Sequence, residues 1–229
     1  KSSLTDELLN RFLRCFPNRR VAVLAVDPTR RRSGGALLGD RIRMNSLADE
    51  RIFMRSIATR RQHLATSAVL KDSVDFLCSA GFDLVIVETA GIGQSDTEIV
   101  DLVDLSVYVM TSEYGAASQL EKIDMLDYAD VVALNKFEKR GSEDALRDVR
   151  KQWKRNHVAF TLDDDDVPVY PTIASQFNDP GVNRFFRAIC KSIESAMPDD
   201  AAGWEPEVEL PEPTAEGSAL IPGHRARYL

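Results

Sequence analysis

The stretch V-A-V-L-A-V-D-P at residues 21–28 begins with six consecutive apolar residues and ends at an aspartate and a proline. A continuous apolar run of this kind is typical of a strand that is buried on both faces of a parallel sheet. Four further apolar runs, at 84–87, 105–110, 131–134 and 167–171, predict four more strands. They alternate with helical patterns, so we expect an α/β fold with a mostly parallel central sheet and helices on both faces.

The helical patterns between these runs each have one apolar face. They lie at residues 1–16, at 67–80, in a segment that begins at Ser142, and around 182–193. In the first of them, Leu4, Leu8 and Phe12 share a face. Residues 29–40 are polar and rich in glycine, so they are expected to form a loop.

The chain has 229 residues, of which 44% are hydrophobic and 28% charged, with a net charge of −7. This composition is typical of one sizeable soluble domain, and the negative charge argues against a nucleic-acid surface. No apolar run approaches the roughly 20 residues that a membrane-spanning helix needs. The three cysteines, Cys15, Cys78 and Cys190, lie far apart, which favours buried thiols in a reducing cytoplasm.

The composition changes after residue 197. Residues 201–223 are rich in proline, glutamate and glycine and have no hydrophobic period, which predicts an extended segment. We therefore expect one domain over residues 1–197 and a linker over residues 198–229.

Lys1 and Ser2 open a helix that leads into a buried strand. In a P-loop, the N–H groups of a glycine-rich turn hold the phosphates, a lysine reaches the β and γ oxygens, and the next hydroxyl residue ligates Mg²⁺. Lys1 and Ser2 match the last two positions of that pattern, and Ser3 and the helix N-terminus add further donors. The glycines would precede Lys1, so we expect the chain to be a piece of a longer protein. The alternative is an ordinary N-cap at Ser2 or Ser3.

Carboxylates follow two of the predicted strands. Asp27 ends the first strand, Glu88 ends the next, and Asp40 ends the glycine-rich loop. Ligands of open α/β sheets bind at the carboxyl ends of the strands, and Mg²⁺ prefers carboxylate and phosphate oxygens. We therefore predict a magnesium site formed by Ser2, Asp27, Asp40 and Glu88, with capping as the alternative role of the strand-end acids. The aspartate run at 163–166 is more simply a solvated loop than a second metal site.

The segment E-T-A-G at residues 88–91 has the outline of the D-x-x-G element of GTPases, with glutamate in place of aspartate. In this interpretation the Gly91 N–H contacts the γ-phosphate. The following Gln94 then orients the attacking water. The alternative for Gln94 is an ordinary loop residue.

The strand at 131–134 runs directly into Asn135-Lys136-Phe137-Glu138, an N-K-x-E sequence. GTP-binding proteins place N-K-x-D after a strand, where the carboxylate accepts hydrogen bonds from guanine N1–H and the exocyclic amine. Adenine lacks both donors, so a buried carboxylate beside it would be unpaired. Asn135 reads the base or braces the loop, and the Lys136 stem covers the base. Ser175 and Gln176 follow the fifth strand, where GTPases place a short loop whose backbone contacts the base. The alternative for the N-K-x-E sequence is an ordinary polar turn at the end of a strand.

Several phrases together resemble one family, the G-protein chaperones of cobalamin-dependent acyl-CoA mutases, including GTPase domains fused to the mutase itself. They are V-L-A-V-D-P-T (23–29), G-G-A-L-L-G-D-R-I-R-M (34–44), V-E-T-A-G-I-G-Q-S (87–95), L-N-K-F-E (134–138) and P-T-I-A-S-Q-F-N (171–178). The resemblance implies a P-loop sheet of six or seven strands, related to the signal-recognition GTPases. It also implies slow, Mg²⁺-dependent GTP hydrolysis that gates the loading of adenosylcobalamin.

The resemblance assigns roles to residues of this chain. Lys1 and Gln94 would be catalytic, and the nucleotide and metal residues would be those named above. A switch loop over 111–122 would expose Gln119, Glu121 and Lys122 to a partner domain. The resemblance further implies a homodimer, and cobalamin-binding and acyl-CoA mutase domains in the same polypeptide.

Cobalamin itself is expected to bind to a neighbouring domain. The D-x-H-x-x-G pattern of a cobalamin-binding domain does not occur, and His63, His157 and His224 are isolated. Two other hypotheses stay open: a nickel-delivery GTPase, which would need cysteine and histidine clusters, and a structural spacer that does not hydrolyse nucleotide.

Overall fold

The computed structural model describes residues 2–28, 44–59, 63–89, 97–114, 117–197, 203–207 and 210. Helices and strands alternate within these residues, as the apolar runs predict. The strands are β1 (Val21–Pro28), β2 (Ile52–Thr59), β3 (Leu84–Thr89), β4 (Val107–Thr111), β5 (Val131–Asn135) and β6 (Val169–Thr172). The helices are α1 (Ser2–Cys15), α2 (His63–Ser79), α3 (Met125–Tyr128), α4 (Ser142–Asn156) and α5 (Pro180–Ala196), with short 3-10 helices at Asn45–Ala48, Thr97–Leu102 and Ala117–Lys122.

The described strands form two three-stranded sheets rather than one continuous sheet. Their orders are β2-β1-β3 and β4-β5-β6. Every pairing is parallel, with Val21 opposite Leu84 in the first sheet and Val131 opposite Val107 in the second. The predicted parallel α/β fold is therefore confirmed.

Strand β2 was not predicted from the sequence. Ile52 and Met54 are buried, whereas Phe53 and Arg55 are exposed. This alternation is typical of a strand with one covered face, and β2 lies at the edge of its sheet. A search for continuous apolar runs misses such a strand.

Helices α1 and α5 cover one face of both sheets. Val21, Val23 and Ala25 of β1 pack with residues of these two helices in one cluster, and Val131 and Ala133 of β5 do so in another. The helix residues in these clusters are Leu4, Leu9, Phe12, Cys15, Val182, Phe185, Phe186 and Cys190. Because α1 and α5 contact both sheets, they hold the two sheets side by side.

The opposite face of each sheet has its own helices. Ala22 and Leu24 of β1 pack against Leu70 and Leu77 of α2, and residues of β5 pack against α4 and the 3-10 helix at Ala117–Lys122. Each sheet is thus covered on both faces, as the predicted fold requires. None of the helices in the described parts of the chain is long and apolar enough to cross a membrane.

The segment after α5 packs back onto the domain. Trp204 is 2% exposed and lies against Phe12 and Phe16, with ring centroids 6.0 and 5.5 Å apart. Arg19 stacks on the Trp204 ring at 4.0 Å and donates a hydrogen bond to the Gly203 carbonyl at 2.6 Å. Residues 203–207 form neither helix nor strand. The domain boundary at residue 197 stays a prediction, and at least part of the predicted linker contacts the core.

The cysteines are only partly as expected. Cys15 and Cys190 are buried, but Cys78 is exposed on the outer face of α2, so the expectation of three buried thiols is wrong for Cys78. Burial raises the pKa of the Cys190 thiol to about 12, helped by the neighbouring Cys15. Cys190 is therefore an apolar core residue and stays protonated at neutral pH.

Candidate functional site

Two of the predicted metal-binding acids lie near the carboxyl ends of adjacent strands. Glu88 of β3 is paired with Ala25 of β1, and Asp27 lies two residues further along β1. Paired residues of parallel neighbours share a face, and Ala25 is on the face that α1 and α5 cover. Glu88 is half-buried, and of Asp27 only the backbone is described. This pair of positions fits the oxygen-donor set that Mg²⁺ prefers.

The predicted phosphate end lies at the start of α1. Ser2 is the first residue of the helix and is half-buried, and Ser3 is exposed. Helix α1 ends at Cys15 and β1 begins at Val21, so the helix runs back along the sheet and its first turn lies towards the carboxyl ends of the strands. Ser2 is therefore on the same side of the sheet as Glu88.

Several predicted site residues lie outside the described parts of the chain. They are Lys1, Asp40, Gly91 and Gln94, and Lys122 is described only as backbone. Their roles as phosphate, metal, water-positioning and switch residues stay predictions.

Asn135 is at the centre of the predicted base end. It is the last residue of β5 and is 6% exposed. Its side-chain oxygen accepts hydrogen bonds from the Ala174 N–H at 3.1 Å and the Thr172 hydroxyl at 3.2 Å. The Asn135 oxygen therefore joins the N-K-x-E turn to the loop that follows β6, the bracing role that the sequence left as one of two options.

The remaining base-end residues are available to a ligand. Lys136 has a left-handed backbone conformation, with φ of 59°, and its side chain is exposed together with that of Glu138. The turn is held by a hydrogen bond from the Phe137 N–H to the Thr172 carbonyl at 3.1 Å. Ser175 and Gln176 are exposed on the adjacent loop. Residues 135–138 and residues 173–176 thus lie side by side and form two walls of the predicted base site.

Asp179 organises the second wall and was not singled out in the sequence. Its carboxylate accepts hydrogen bonds from the Ile173 N–H at 3.1 Å and the Val182 N–H at 2.8 Å. It is the N-cap of α5, followed by Pro180 at the first helical position. The D-P-G sequence at 179–181 is a helix-start signal that could have identified it.

Asp6 of α1 is a second buried carboxylate that sequence reasoning missed. Its oxygens accept hydrogen bonds from the Ser46 N–H at 3.0 Å, the Ser46 hydroxyl at 2.6 Å and the Asn45 N–H at 3.2 Å. Asp6 lies one helical turn after Ser2. It therefore fastens the segment that follows the glycine-rich loop to the first turns of α1.

The predicted switch loop contacts the base-end turn. Glu113 pairs with Lys139 at 2.5 Å, just after the N-K-x-E sequence. The hydrogen bond from Lys139 holds the pKa of the Glu113 carboxyl below its ordinary value. Further along the loop, Gln119 is exposed, and Glu121 lies 3.7 Å from Arg155 of α4. These exposed ion pairs place the loop beside the site and contribute little to stability.

The aspartate run at 163–166 faces cations of α4. Asp164 lies 2.6 Å from Lys154, and Asp165 lies 3.3 Å from Arg150. Within the described residues, no group of three or more histidine, cysteine, aspartate or glutamate side chains is arranged to hold a metal ion. These aspartates therefore form exposed ion pairs with α4, and the solvated-loop interpretation of the run stays a prediction.

We expect Asn135→Ala to lower the free energy of unfolding by about 1–3 kcal/mol, because the buried Ala174 N–H and Thr172 hydroxyl lose their acceptor. Urea denaturation measures this change. Lys151→Ala, an exposed change on α4, is the control and should stay within about 0.5 kcal/mol of the parent. Equal stabilities of the two variants would show that the bracing contacts contribute nothing.

A sequence model of the family described as methylmalonyl Co-A mutase-associated GTPase MeaB matches residues 1–208 of this chain. The chain is also similar to a fused isobutyryl-CoA mutase of Geobacillus kaustophilus, with 51% identity over 229 residues. That alignment covers 100% of this chain and 21% of the mutase. The chain therefore spans about a fifth of the length of this relative.

Two solved structures share the fold. A LAO/AO transport system kinase superposes with a TM-score of 0.57 and 22% identity, covering 85% of this chain and 55% of that chain. HypB from Helicobacter pylori, crystallised with nickel, gives a TM-score of 0.56 and 14% identity over 87% of this chain and 86% of HypB. At these identities the likeness concerns the fold alone.

Proposed function

We propose that this chain, which belongs to the MeaB family of methylmalonyl-CoA mutase-associated GTPases, binds and hydrolyses GTP at the carboxyl ends of its parallel strands. The observation that carries the proposal is the contact between Asn135 and the Ala174 N–H at 3.1 Å. It holds the N-K-x-E turn beside the loop after β6, with Lys136, Glu138, Ser175 and Gln176 exposed at the same place.

Guanine selectivity in this proposal comes from Glu138. Its carboxylate accepts from guanine N1–H and the exocyclic amine, and the Lys136 stem covers one face of the base. Asn135 uses its side-chain oxygen on Ala174 and Thr172, which leaves its amide NH₂ as the donor for guanine O6. Backbone groups of Ser175 and Gln176 complete the pocket.

The phosphates are assigned to the start of α1. Lys1 donates to the β- and γ-phosphate oxygens, and the N–H groups at the helix N-terminus, including those of Ser2 and Ser3, add positive potential. Gly91 donates its N–H to the γ-phosphate, and Gln94 orients the attacking water. Mg²⁺, held by Ser2, Asp27, Asp40 and Glu88, neutralises charge on the phosphate oxygens when it is bound.

The proposed partners of the domain are other domains of the same polypeptide. Fused relatives place this segment in a polypeptide about five times its length, so cobalamin-binding and acyl-CoA mutase domains are the proposed partners, within a homodimer. The nucleotide state would set the conformation of residues 30–44, 91–98 and 111–122. Those loops would gate adenosylcobalamin loading and protect the cofactor on the mutase, while the isomerisation of isobutyryl-CoA and butyryl-CoA is carried by the other domains.

Nucleotide titration of the full-length protein tests the GTPase assignment. GTP should bind more tightly than ATP by well over a factor of about ten. GTP turnover should be abolished by Ser2→Ala and kept by Ser195→Ala, which changes an exposed serine near the end of α5. Equal affinity for ATP would overturn guanine recognition. GTP binding without turnover in the parent protein would favour the structural-spacer hypothesis.

A nickel-delivery role has less support. It needs soft or borderline ligands such as clustered cysteines and histidines. Cys15 and Cys190 are buried, and no suitable ligand group occurs in the parts of the chain that the structure describes. Tight binding of Ni²⁺ by the full-length protein would reopen this hypothesis.

A further inference from the structure

Arg11 is a buried cation on the helix that begins at the phosphate end. It is 2% exposed, as deeply buried as the apolar residues Leu9 and Phe12 of the same helix. A guanidinium in such a place is costly unless its donors are paired. An uncharged side chain of similar length would fill the same space. Packing alone therefore does not explain why a charged residue is buried here.

The donors of Arg11 reach two different elements. On its own helix, Nη1 pairs with the Glu7 carboxylate at 2.6 Å and donates to the Glu7 carbonyl at 2.9 Å. Across the domain, Nε donates to the Asn183 side-chain oxygen at 2.7 Å and Nη2 to the Asp179 carbonyl at 3.3 Å. Glu7 orients the guanidinium, and the guanidinium holds the first turn of α5.

The loop at 173–179 ends at this first turn of α5, which Arg11 holds in place. The Asp179 carboxylate accepts from the Ile173 N–H, and the next residue, Ala174, donates to Asn135. A continuous series of hydrogen bonds therefore runs from Arg11 through Asp179 and the loop to Asn135. It connects α1 to both walls of the base pocket.

Apolar contacts join the loop to α1, since Leu4 and Ala174 belong to one buried cluster, but they do not set the direction of the loop. Leu4, Val182 and Phe185 already pack α1 and α5 against the second sheet, and such contacts are not directional. The planar guanidinium of Arg11 orients the first turn of α5 relative to α1, because its coplanar N–H groups point at two fixed oxygens. Arg11 lies nine residues after Ser2, about 14 Å along the helix.

We infer that Arg11 is a positioning residue that sets the base pocket at the correct place relative to the phosphate end, and so contributes to guanine selectivity without touching the nucleotide. This inference rests on the proposed GTP site. The buried charge of Arg11 then contributes to nucleotide recognition as well as to stability.

The test compares GTP and ATP affinity in the full-length protein carrying Arg11→Met, which keeps most of the side-chain volume and removes the donors. We expect the Kd for GTP to rise about tenfold and the Kd for ATP to change less than about twofold. The selectivity ratio should therefore fall about tenfold. A simple loss of stability does not produce this pattern, because it lowers the fraction of folded protein for both nucleotides equally.

Leu9→Ala is the matched control, since Leu9 is fully buried on the same helix and makes none of these hydrogen bonds. It should lower the melting temperature while keeping the selectivity ratio. If Arg11→Met does not fold, Asn183→Ala removes the Nε acceptor from the other side and should shift the ratio in the same direction. An unchanged ratio in the folded variant overturns the role of Arg11. Absence of GTP preference in the parent protein instead overturns the proposed function.

Discussion

Glu138→Ala is expected to erase the preference of the full-length protein for GTP over ATP. The carboxylate would lose two hydrogen bonds to guanine, each worth about 1.5–3 kcal/mol when one partner is charged. A total near 3 kcal/mol or more corresponds to at least about a hundredfold weaker GTP binding. ATP affinity should stay close to that of the parent, because adenine offers the carboxylate no donor.

Two control variants separate base recognition from a general loss of charge. Glu138→Asp keeps an acceptor at the position and restores the more common N-K-x-D sequence, so the preference for GTP should persist. Glu143→Ala removes another exposed glutamate, in the first turn of α4, and should leave both affinities unchanged. If Glu138→Ala binds GTP as tightly as the parent, guanine recognition does not involve this carboxylate.

Gly181→Ala is expected to lower the free energy of unfolding strongly. A Cβ at this position would lie 2.1 Å from the Pro171 carbonyl oxygen and 2.9 Å from the Asp179 carboxylate. Both α5 and β6 are packed, so one of them must move. We expect about 3 kcal/mol less stability, which lowers the melting temperature of a domain of this size by roughly 6–12 °C.

Gly203→Ala provides the control for the glycine change. A Cβ at Gly203 would meet its nearest neighbour, the Glu194 carboxylate, at an ordinary 3.6 Å. Its melting temperature should therefore be close to that of the parent, because surface changes of this kind stay within about 0.5 kcal/mol. Equal melting temperatures for Gly181→Ala and the parent would mean that β6 and α5 separate at little cost.

The sequence predicted the features that depend on local pattern. The apolar runs that became β1 and β5 are buried on both faces, and such runs are easily recognised. The apolar stripe of α1 was also clear, with Leu4 and Phe12 buried as predicted. The N-K-x-E sequence located the turn after β5 because it combines a strand end with unusual side chains.

The missed features depend on partners that are distant in the chain. Arg11 and Asp6 lie at the edges of the apolar stripe of α1, where a charged side chain usually reaches solvent, yet both are buried. Asn183 is 172 residues from its partner Arg11, and Ser46 is 40 residues from Asp6. No local pattern contains that information. The division of the described strands into two sheets is likewise a matter of tertiary arrangement.

The packing of Trp204 fastens the segment after α5 to the carboxyl end of α1. Its ring lies on Phe12 and Phe16 at the carboxyl end of α1, and the Leu210 carbonyl is held by Arg187 of α5. An α-helix of 14 residues is about 20 Å long and moves as a stiff rod. A displacement of the first turn of α1 would therefore also be felt at its carboxyl end, where Trp204 packs on Phe12 and Phe16.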